Sequence, residues 1–219
     1  TNYNPTTQEV YFIDADKISV YNLRTDDTSA KERANENLLR GRTGMSFIDT
    51  LDNKLYLYEV YTGRGNDGYI ACLDLDDYTW KTTHTEAVSR QLHHHGGWFD
   101  AARGRYEVFG GFGHRRYLDY FYSYTLGDGH WERITYQGDH ISPRYFLSLG
   151  YNPADSAVYI FGGMGNESGD QIVGRRYYYD LYKVDTQRNS ITKLWEKEWE
   201  GDNMVPVRGM VISGDSCFY

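Results

Sequence analysis

The chain has 219 residues, a net charge of −8, 40% hydrophobic residues and 16% aromatic residues. This composition is sufficient for a sizeable core and argues against a disordered chain. The acidic balance argues against nucleic acid as a partner, because phosphate binding needs a basic face. No apolar stretch approaches the roughly 20 residues of a membrane-spanning helix, so no membrane span is predicted in this segment.

The two cysteines, Cys72 and Cys217, say little about the compartment. Two thiols do not make a disulfide framework, and neither lies in a CxxC pair. The N-terminal residues show no charged-then-apolar signal pattern. Every compartment is compatible with these observations, and an extracytoplasmic or secreted location is favoured over the others.

An apolar strand recurs along the chain at intervals of roughly fifty residues. It reads VYFI at Val10–Ile13, LYLYEV at Leu55–Val60, EVFGG at Glu107–Gly111 and VYIFGG at Val158–Gly163. Such a period in a chain with an all-β texture is typical of a repeat architecture.

Turns and hairpins recur around this strand. The turns Tyr3-Asn4-Pro5 and Tyr151-Asn152-Pro153 precede it, and Asn starts such turns because its side chain bonds to the backbone further on. An aromatic strand follows, and a bulky residue comes seven positions after it in three repeats. These bulky residues are Trp80, Trp131 and Ile191. The spacing predicts a hairpin whose return strand begins at each of them.

Each repeat is therefore predicted to form four antiparallel strands. The strand before the glycines is apolar at consecutive positions, which indicates burial on both faces, and sheets stacked blade on blade provide it. A β-sandwich is the alternative, but it gives no reason for a fifty-residue register. The blades are placed at roughly 1–40, 41–88, 89–141 and 142–204, with the start of another at 205–219. They form one propeller domain or, as we favour, a fragment of a larger propeller. Ala30–Arg40 could form a short connecting helix.

The sequence resembles the kelch family of β-propellers. The resemblance rests on the glycine pairs Gly110-Gly111 and Gly162-Gly163, a later tyrosine (Tyr122, Tyr182) and a tryptophan in the next strand (Trp80, Trp131). It implies an all-β, kelch-like propeller of four-stranded antiparallel blades, with about four blades present and a partial one. The first two repeats lack the glycine pair, and Ile191 replaces the tryptophan in the fourth.

Arginines that open the first strand of successive repeats are the leading ligand-binding candidates. They are Arg42, Arg90, Arg144 and Arg208. In a propeller this strand lines the central channel, so the guanidinium groups would form a ring suited to carboxylates or a sugar acid. The structural alternative is that each arginine pairs with an acidic residue of a neighbouring blade and locks the blades together.

A second candidate set follows the glycines. It consists of Arg115, Arg116 and Tyr117 in the third repeat and of Arg175, Arg176 and Tyr177 in the fourth. Arginine and tyrosine dominate interface hot spots, and loops carry function more often than cores do. The alternative is packing of an arginine on the tyrosine of the next blade.

His93-His94-His95 is the one histidine cluster. On a strand, His93 and His95 would point one way and His94 the other. Two imidazoles could chelate a metal only with ligands from other blades. His93 is therefore taken as a channel-lining residue, as the resemblance implies, and neither a metal nor another cofactor is predicted.

Three functions stay open at this point. The favoured one is a non-catalytic module that binds a protein, a glycan or an anionic small molecule through its arginine- and tyrosine-rich loops. The kelch resemblance also implies possible carbohydrate-active enzymes, either a sialic acid mutarotase or, less favoured, a copper-radical galactose oxidase, with catalytic residues unknown. The third is a structural or sensory segment of a larger protein.

Overall fold

The computed structural model describes residues 1–14, 17–32, 45–58, 67–86, 92–206, 209–213 and 217–218. Within these ranges the chain is built from β-strands and one 3-10 turn, with no α-helix. In the same part of the chain, no helix is long and apolar enough to cross a membrane. The chain divides into two compact units. The first comprises Thr1–Val88, Ala101–Arg105 and Thr125–Trp131, and the second comprises Ser89–Asp100, Tyr106–Tyr124 and Glu132–Tyr219.

The first two repeats each form a four-stranded antiparallel sheet with neighbouring strands in chain order. The first sheet contains β1 (Asn2–Asn4), β2 (Glu9–Ile13), β3 (Ile18–Asn22) and β4 (Asp27–Lys31). The second contains β5 (Met45–Asp49), β6 (Lys54–Tyr58), β7 (Asp67–Asp74) and β8 (Trp80–Glu86). Of the helix predicted at Ala30–Arg40, the first two residues belong to β4, and residues 33–40 lie outside the described part.

The third repeat forms a sheet of β9 (Gly96–Asp100), β10 (Arg105–Phe109), β13 (Phe121–Thr125) and β14 (His130–Ile134). A small hairpin lies between its second and third strands in the chain. This hairpin consists of β11 (Phe112–Gly113) and β12 (Arg116–Tyr117). The predicted four-stranded antiparallel unit is therefore confirmed here, as it is in the first two repeats.

The fourth repeat forms a larger sheet. Its strands are β15 (Gln137–Gly138), β16 (Arg144–Tyr145), β17 (Ser148–Asn152), β18 (Ala157–Gly165), β19 (Arg176–Asp185) and β20 (Ser190–Glu196), with the 3-10 turn Gln171–Val173 between β18 and β19. Both β16 and β17 pair antiparallel with β18. A final hairpin joins β21 (Ile212–Ser213) and β22 (Cys217–Phe218).

The outer edge of the fourth sheet is closed at one end. β15 pairs in parallel with the start of β20. Beyond it, the Asp139 carboxylate accepts a hydrogen bond of 2.6 Å from the backbone N–H of Lys193. Leu194 is an extra residue in the pairing of β20 with β19, because Tyr182 lies opposite Lys193 while Leu181 lies opposite Trp195. A β-bulge therefore interrupts β20 next to the Asp139 contact.

Sheets pack face to face within each compact unit. In the first unit, Tyr11, Ile18 and Val20 of the first sheet pack on Leu55, Leu73 and Trp80 of the second. In the second unit, Trp98, Phe109 and Phe121 of the third sheet pack on Val158, Ile160 and Val184 of the fourth. The last four residues of β10 are buried at consecutive positions, so both faces of that strand are covered.

The turns predicted at Asn4 and Asn152 and the hairpin registers predicted at Trp80 and Ile191 are confirmed. The Asn4 side chain accepts hydrogen bonds from the backbone N–H groups of Thr6 and Thr7, and the Asn152 side chain accepts one from Ala154. Trp80 lies opposite Leu73 and begins β8. Ile191 lies opposite Val184 near the start of β20. These features depend on short-range chemistry, which the local sequence contains.

The glycine pair of the third repeat is required by both conformation and space. Gly110 has φ of +74° and Gly111 has φ of +97°, a region that side chains disfavour. A Cβ atom at Gly110 would lie 2.7 Å from the backbone oxygen of Arg144. The turn after β10 can therefore approach the fourth repeat only because residue 110 has no side chain.

We predict that Gly110→Ala lowers the free energy of unfolding by about 2–3 kcal/mol, because strain and a backbone clash act together. Gly104→Ala is the matched control: Gly104 also has positive φ (+60°), but nothing lies within 4 Å of a Cβ atom there. That variant should lose about 1 kcal/mol. Denaturant unfolding of both variants measures the difference, and equal losses would contradict the steric argument.

Candidate functional site

Three of the four first-strand arginines, Arg42, Arg90 and Arg208, lie outside the described residues. The fourth, Arg144, is fully buried in the second compact unit. Its guanidinium donates two hydrogen bonds to the Asp180 carboxylate, at 2.6 and 3.0 Å. Two more reach the backbone oxygens of Ser142 and Gly162. The guanidinium also lies 4.0 Å from the centre of the Tyr178 ring. These contacts use four of the five N–H donors of the guanidinium and favour the structural alternative for Arg144.

The backbone of Arg144 joins two repeats. Its N–H donates to the Leu118 oxygen at 3.1 Å, and its oxygen accepts from the Gly111 N–H at 2.8 Å. Both partners belong to the third repeat, whereas Asp180 belongs to the fourth. Arg144 therefore ties the third repeat to the fourth, although its charge partner lies in its own sheet rather than in the neighbouring one.

The register predicted between the arginines of these two repeats is wrong by two positions. His93 pairs with Phe112, the residue after the glycine pair of the third repeat, and Tyr145 pairs with Met164, the residue after the glycine pair of the fourth. Leu92, rather than Arg90, thus stands at the place of Arg144. Leu92 is buried. An apolar side chain at this place leaves no charge to compensate, whereas Arg144 needs Asp180.

The two Arg-Arg-Tyr segments come together in the second unit. Arg115 lies at the tip of the β11–β12 hairpin, and its backbone oxygen accepts from the N–H of Gln171 in the 3-10 turn. The N–H of Tyr117 donates to the Gly169 oxygen at 2.7 Å. The hairpin of the third repeat is therefore bonded to the β18–β19 connection of the fourth, which ends at Arg175. We call this region the loop surface, comprising residues 112–117 and 166–177.

The second arginine of each segment is paired within the loop surface. The Arg116 side chain donates to the Ser168 oxygen at 2.9 Å and lies 3.9 Å from the Asp170 carboxylate. The Arg176 guanidinium lies 3.0 Å from the Glu167 carboxylate. Both pairs are partly exposed, so each contributes modestly to stability. The Arg116 contacts hold the connection between β18 and β19 against the hairpin, and the Arg176 pair holds it within the fourth repeat.

The first arginine of each segment is exposed and makes no ion pair with any residue that the structure describes. Within the described ranges the Arg115 side chain has no hydrogen-bond or ion-pair partner, and Arg175 donates only to tyrosine, with its Nη1 3.5 Å from the Tyr145 hydroxyl. Hydrogen bonding to Tyr177 raises the pKa of Arg175, so its guanidinium is charged. Next to them, Ile172 and Val173 are 82% and 71% exposed. The loop surface thus offers two cations beside two aliphatic side chains.

Tyrosine rings pack under the loop surface and support it. Tyr117 is buried and stacks on Tyr145 with 5.3 Å between ring centres and an angle of 9°. Tyr145 and Tyr117 pack with Met164, and Tyr177 lies against the same cluster. Burial, with Tyr145 nearby, raises the pKa of Tyr117, so its hydroxyl is neutral at physiological pH. Tyr117 and Tyr177, which were predicted to bind a ligand, therefore hold the loops in place rather than form their exposed surface.

The histidine run is not part of a strand, contrary to expectation. His94 adopts a left-handed conformation with φ of +54°, and β9 begins only at Gly96. His93 is half-buried, its ring 5.2 Å from that of Phe112, and burial together with His94 and His114 lowers its pKa. His95 points into the protein, where its Nδ1 meets the Leu92 oxygen. Among the described residues, no group of three or more His, Cys, Asp or Glu side chains could hold a metal.

Ile172 and Val173 of the loop surface, and Tyr145 and Phe146 packed beside it, were not predicted. No repeat pattern marks the two aliphatic residues, because they lie in a connection of irregular length. Tyr145 directly follows Arg144, and the repeat pattern marks the arginine rather than the tyrosine.

A family model described as the KLHDC2/KLHL20/DRC7 Kelch-repeats domain matches residues 2–213 of the chain. None of the curated proteins matches the chain.

We predict that His95 makes stability depend on pH. Burial lowers the pKa of His95 to about 4, whereas in the unfolded chain it lies near 6.5. Between these values the unfolded state binds the proton and the folded state does not. Stability is therefore complete above pH 6.5 and falls by about 3 kcal/mol as the pH drops toward 4. His95→Leu, which copies Leu147 of the fourth repeat, should flatten this dependence in unfolding experiments, whereas His130→Leu at the surface should not. Parallel pH profiles for His95→Leu and the parent would contradict the assignment.

We predict that Arg144→Leu lowers the free energy of unfolding by about 3–5 kcal/mol, because Asp180 would remain as a buried charge without a partner. Arg144→Leu combined with Asp180→Asn removes both charges and should recover part of the loss. Urea unfolding of the two variants provides the comparison. A double variant less stable than Arg144→Leu alone would show that charge compensation is not the reason.

Proposed function

Since this chain belongs to the kelch-repeat domain family, we propose that its loop surface binds an acidic, partly apolar segment of a protein partner. Kelch domains generally bind proteins. The all-β architecture of four-stranded antiparallel sheets is that of a kelch β-propeller. The proposal specifies where on this propeller module the partner binds and which chemistry it carries.

One observation carries the proposal: each Arg-Arg-Tyr segment uses one arginine internally and leaves the other exposed. Arg116 and Arg176 are held by Asp170 and Glu167. The guanidinium groups of Arg115 and Arg175 face solvent on loops that are already fixed. A carboxylate of a partner would form charge-assisted hydrogen bonds with them without having to order the loops first.

The neighbouring aliphatic side chains point to a protein as the source of the carboxylate. Ile172 and Val173 are among the most exposed large hydrophobic residues that the structure describes. Apolar contacts beside charged ones are typical of protein interfaces, where a hydrophobic centre is surrounded by a polar rim. The glycan-binding and enzymatic alternatives stay predictions, because no arrangement of the described residues favours either over a protein partner.

Selection of a random-peptide library on the purified chain tests the proposal. We expect enrichment of peptides that carry Asp or Glu next to aliphatic residues. Arg115→Ala/Arg175→Ala should weaken their binding by roughly tenfold or more. The affinity for the parent should also fall with added salt, because exposed charges are screened.

Arg188→Ala is the matched control, since Arg188 is an exposed arginine in the hairpin turn between β19 and β20, paired with Asp185 at the end of β19. It should leave peptide affinity unchanged. If the selected peptides bind Arg115→Ala/Arg175→Ala as tightly as the parent, the arginines are not the recognition site.

A further inference from the structure

We infer that His94 and Phe146 form an aromatic platform that binds an aromatic side chain of the same partner segment, close to its carboxylate. This inference rests on the proposed function and adds a second determinant to it. The platform lies where the segments preceding β9 and β17 run side by side, in the second compact unit.

The backbone of the platform is unusual in the same way in both repeats. His94 and Phe146 each have φ of +54°. They occupy corresponding places, each following a residue that pairs with the strand after the glycine turn: His93 with Phe112, and Tyr145 with Met164. Bulky side chains rarely adopt this conformation, and it costs about 1 kcal/mol or more at each position. Glycine or asparagine would avoid the cost, so both rings stand here at a conformational penalty.

The two rings pack against each other with an angle of 31° between their planes, and both residues reach the surface. Their centres are 4.0 Å apart, and the N–H of Phe146 donates to the His94 oxygen at 3.0 Å. The Phe112 ring lies nearly parallel to His94, with an angle of 17°. His94 is exposed and Phe146 is half-buried. The pair therefore presents aromatic surface to solvent that a further ring can cover in an offset stack.

The platform adjoins the exposed arginine Arg175 through one residue. The Tyr145 ring lies 5.1 Å from that of Phe146, and the Tyr145 hydroxyl meets the guanidinium of Arg175. A cationic side chain on the platform would be repelled by this guanidinium, which favours a neutral ring as the occupant. An extended chain advances about 3.3 Å per residue. A partner would therefore place its ring about two to four residues from the carboxylate that binds Arg175.

A double-mutant cycle on a peptide from the library selection tests the platform. We expect the selected peptides to share an aromatic residue at this spacing from Asp or Glu. Phe146→Gly removes the ring while allowing the left-handed backbone, so folding is preserved. Phe146→Gly should weaken the binding of the selected peptide by about tenfold. It should leave unchanged the affinity for the same peptide with its aromatic residue replaced by alanine. Asn189→Gly is the control, because Asn189 has φ of +52° in the hairpin turn before β20.

Each outcome separates the two proposals. Acidic peptides that show no coupling between their ring and Phe146 would overturn the platform and leave the arginine site standing. Ring-bearing peptides that couple to Phe146 but ignore Arg115→Ala/Arg175→Ala would overturn the arginine site alone. A library that yields no specific peptide would overturn both.

Discussion

The buried ion pair between Arg144 and Asp180 supports the part of the molecule that we propose binds a partner. The Arg144 guanidinium is enclosed in the fourth repeat, while the Arg144 backbone is hydrogen-bonded to Gly111 and Leu118 of the third. The two residues that follow it are Tyr145 and Phe146. Because the arginine cannot move without exposing an uncompensated charge in the protein interior, the rings after it are held in a fixed place beside the β11–β12 hairpin.

The paired arginines show how one local sequence can serve two purposes. In each segment the second guanidinium is bound to an acidic residue of the β18–β19 connection, through Arg116 and Asp170 or through Arg176 and Glu167. These contacts restrict the loops before any partner arrives. Arg115 and Arg175 are thereby presented on a prepared surface, which reduces the entropy lost on binding. In this way an irregular connection can hold side chains in defined positions, as a sheet does.

The local features of the fold could be predicted from sequence, because their causes are local. Asn4 and Asn152 form their turns with the next few backbone groups, and Trp80 follows from the length of a hairpin. The equivalence of Arg90 and Arg144 was wrong because it depends on pairing with a strand nearly twenty residues further on in the chain. Only the bridges from His93 and Tyr145 reveal that Leu92 occupies the corresponding place.

The candidate site was predictable in composition but not in its division of roles. Two identical Arg-Arg-Tyr segments gave no basis for separating Arg115 from Arg116. The separation arises from the acidic residues Glu167 and Asp170, whose loop folds back onto the hairpin. His94 and Phe146 have no shared residue type, and what they share is a backbone conformation. A comparison of side chains between repeats could not detect it.

The closed edge of the fourth sheet limits how this module can associate with other chains. An open strand edge invites a foreign strand, and many proteins recognise peptides in that way or aggregate because of it. Here the Asp139 carboxylate occupies the N–H of Lys193, and the bulge at Leu194 breaks the ladder next to it. Strand addition is therefore blocked along this stretch of β20. Even at high local concentration, copies of the module would not pair edge to edge through this stretch.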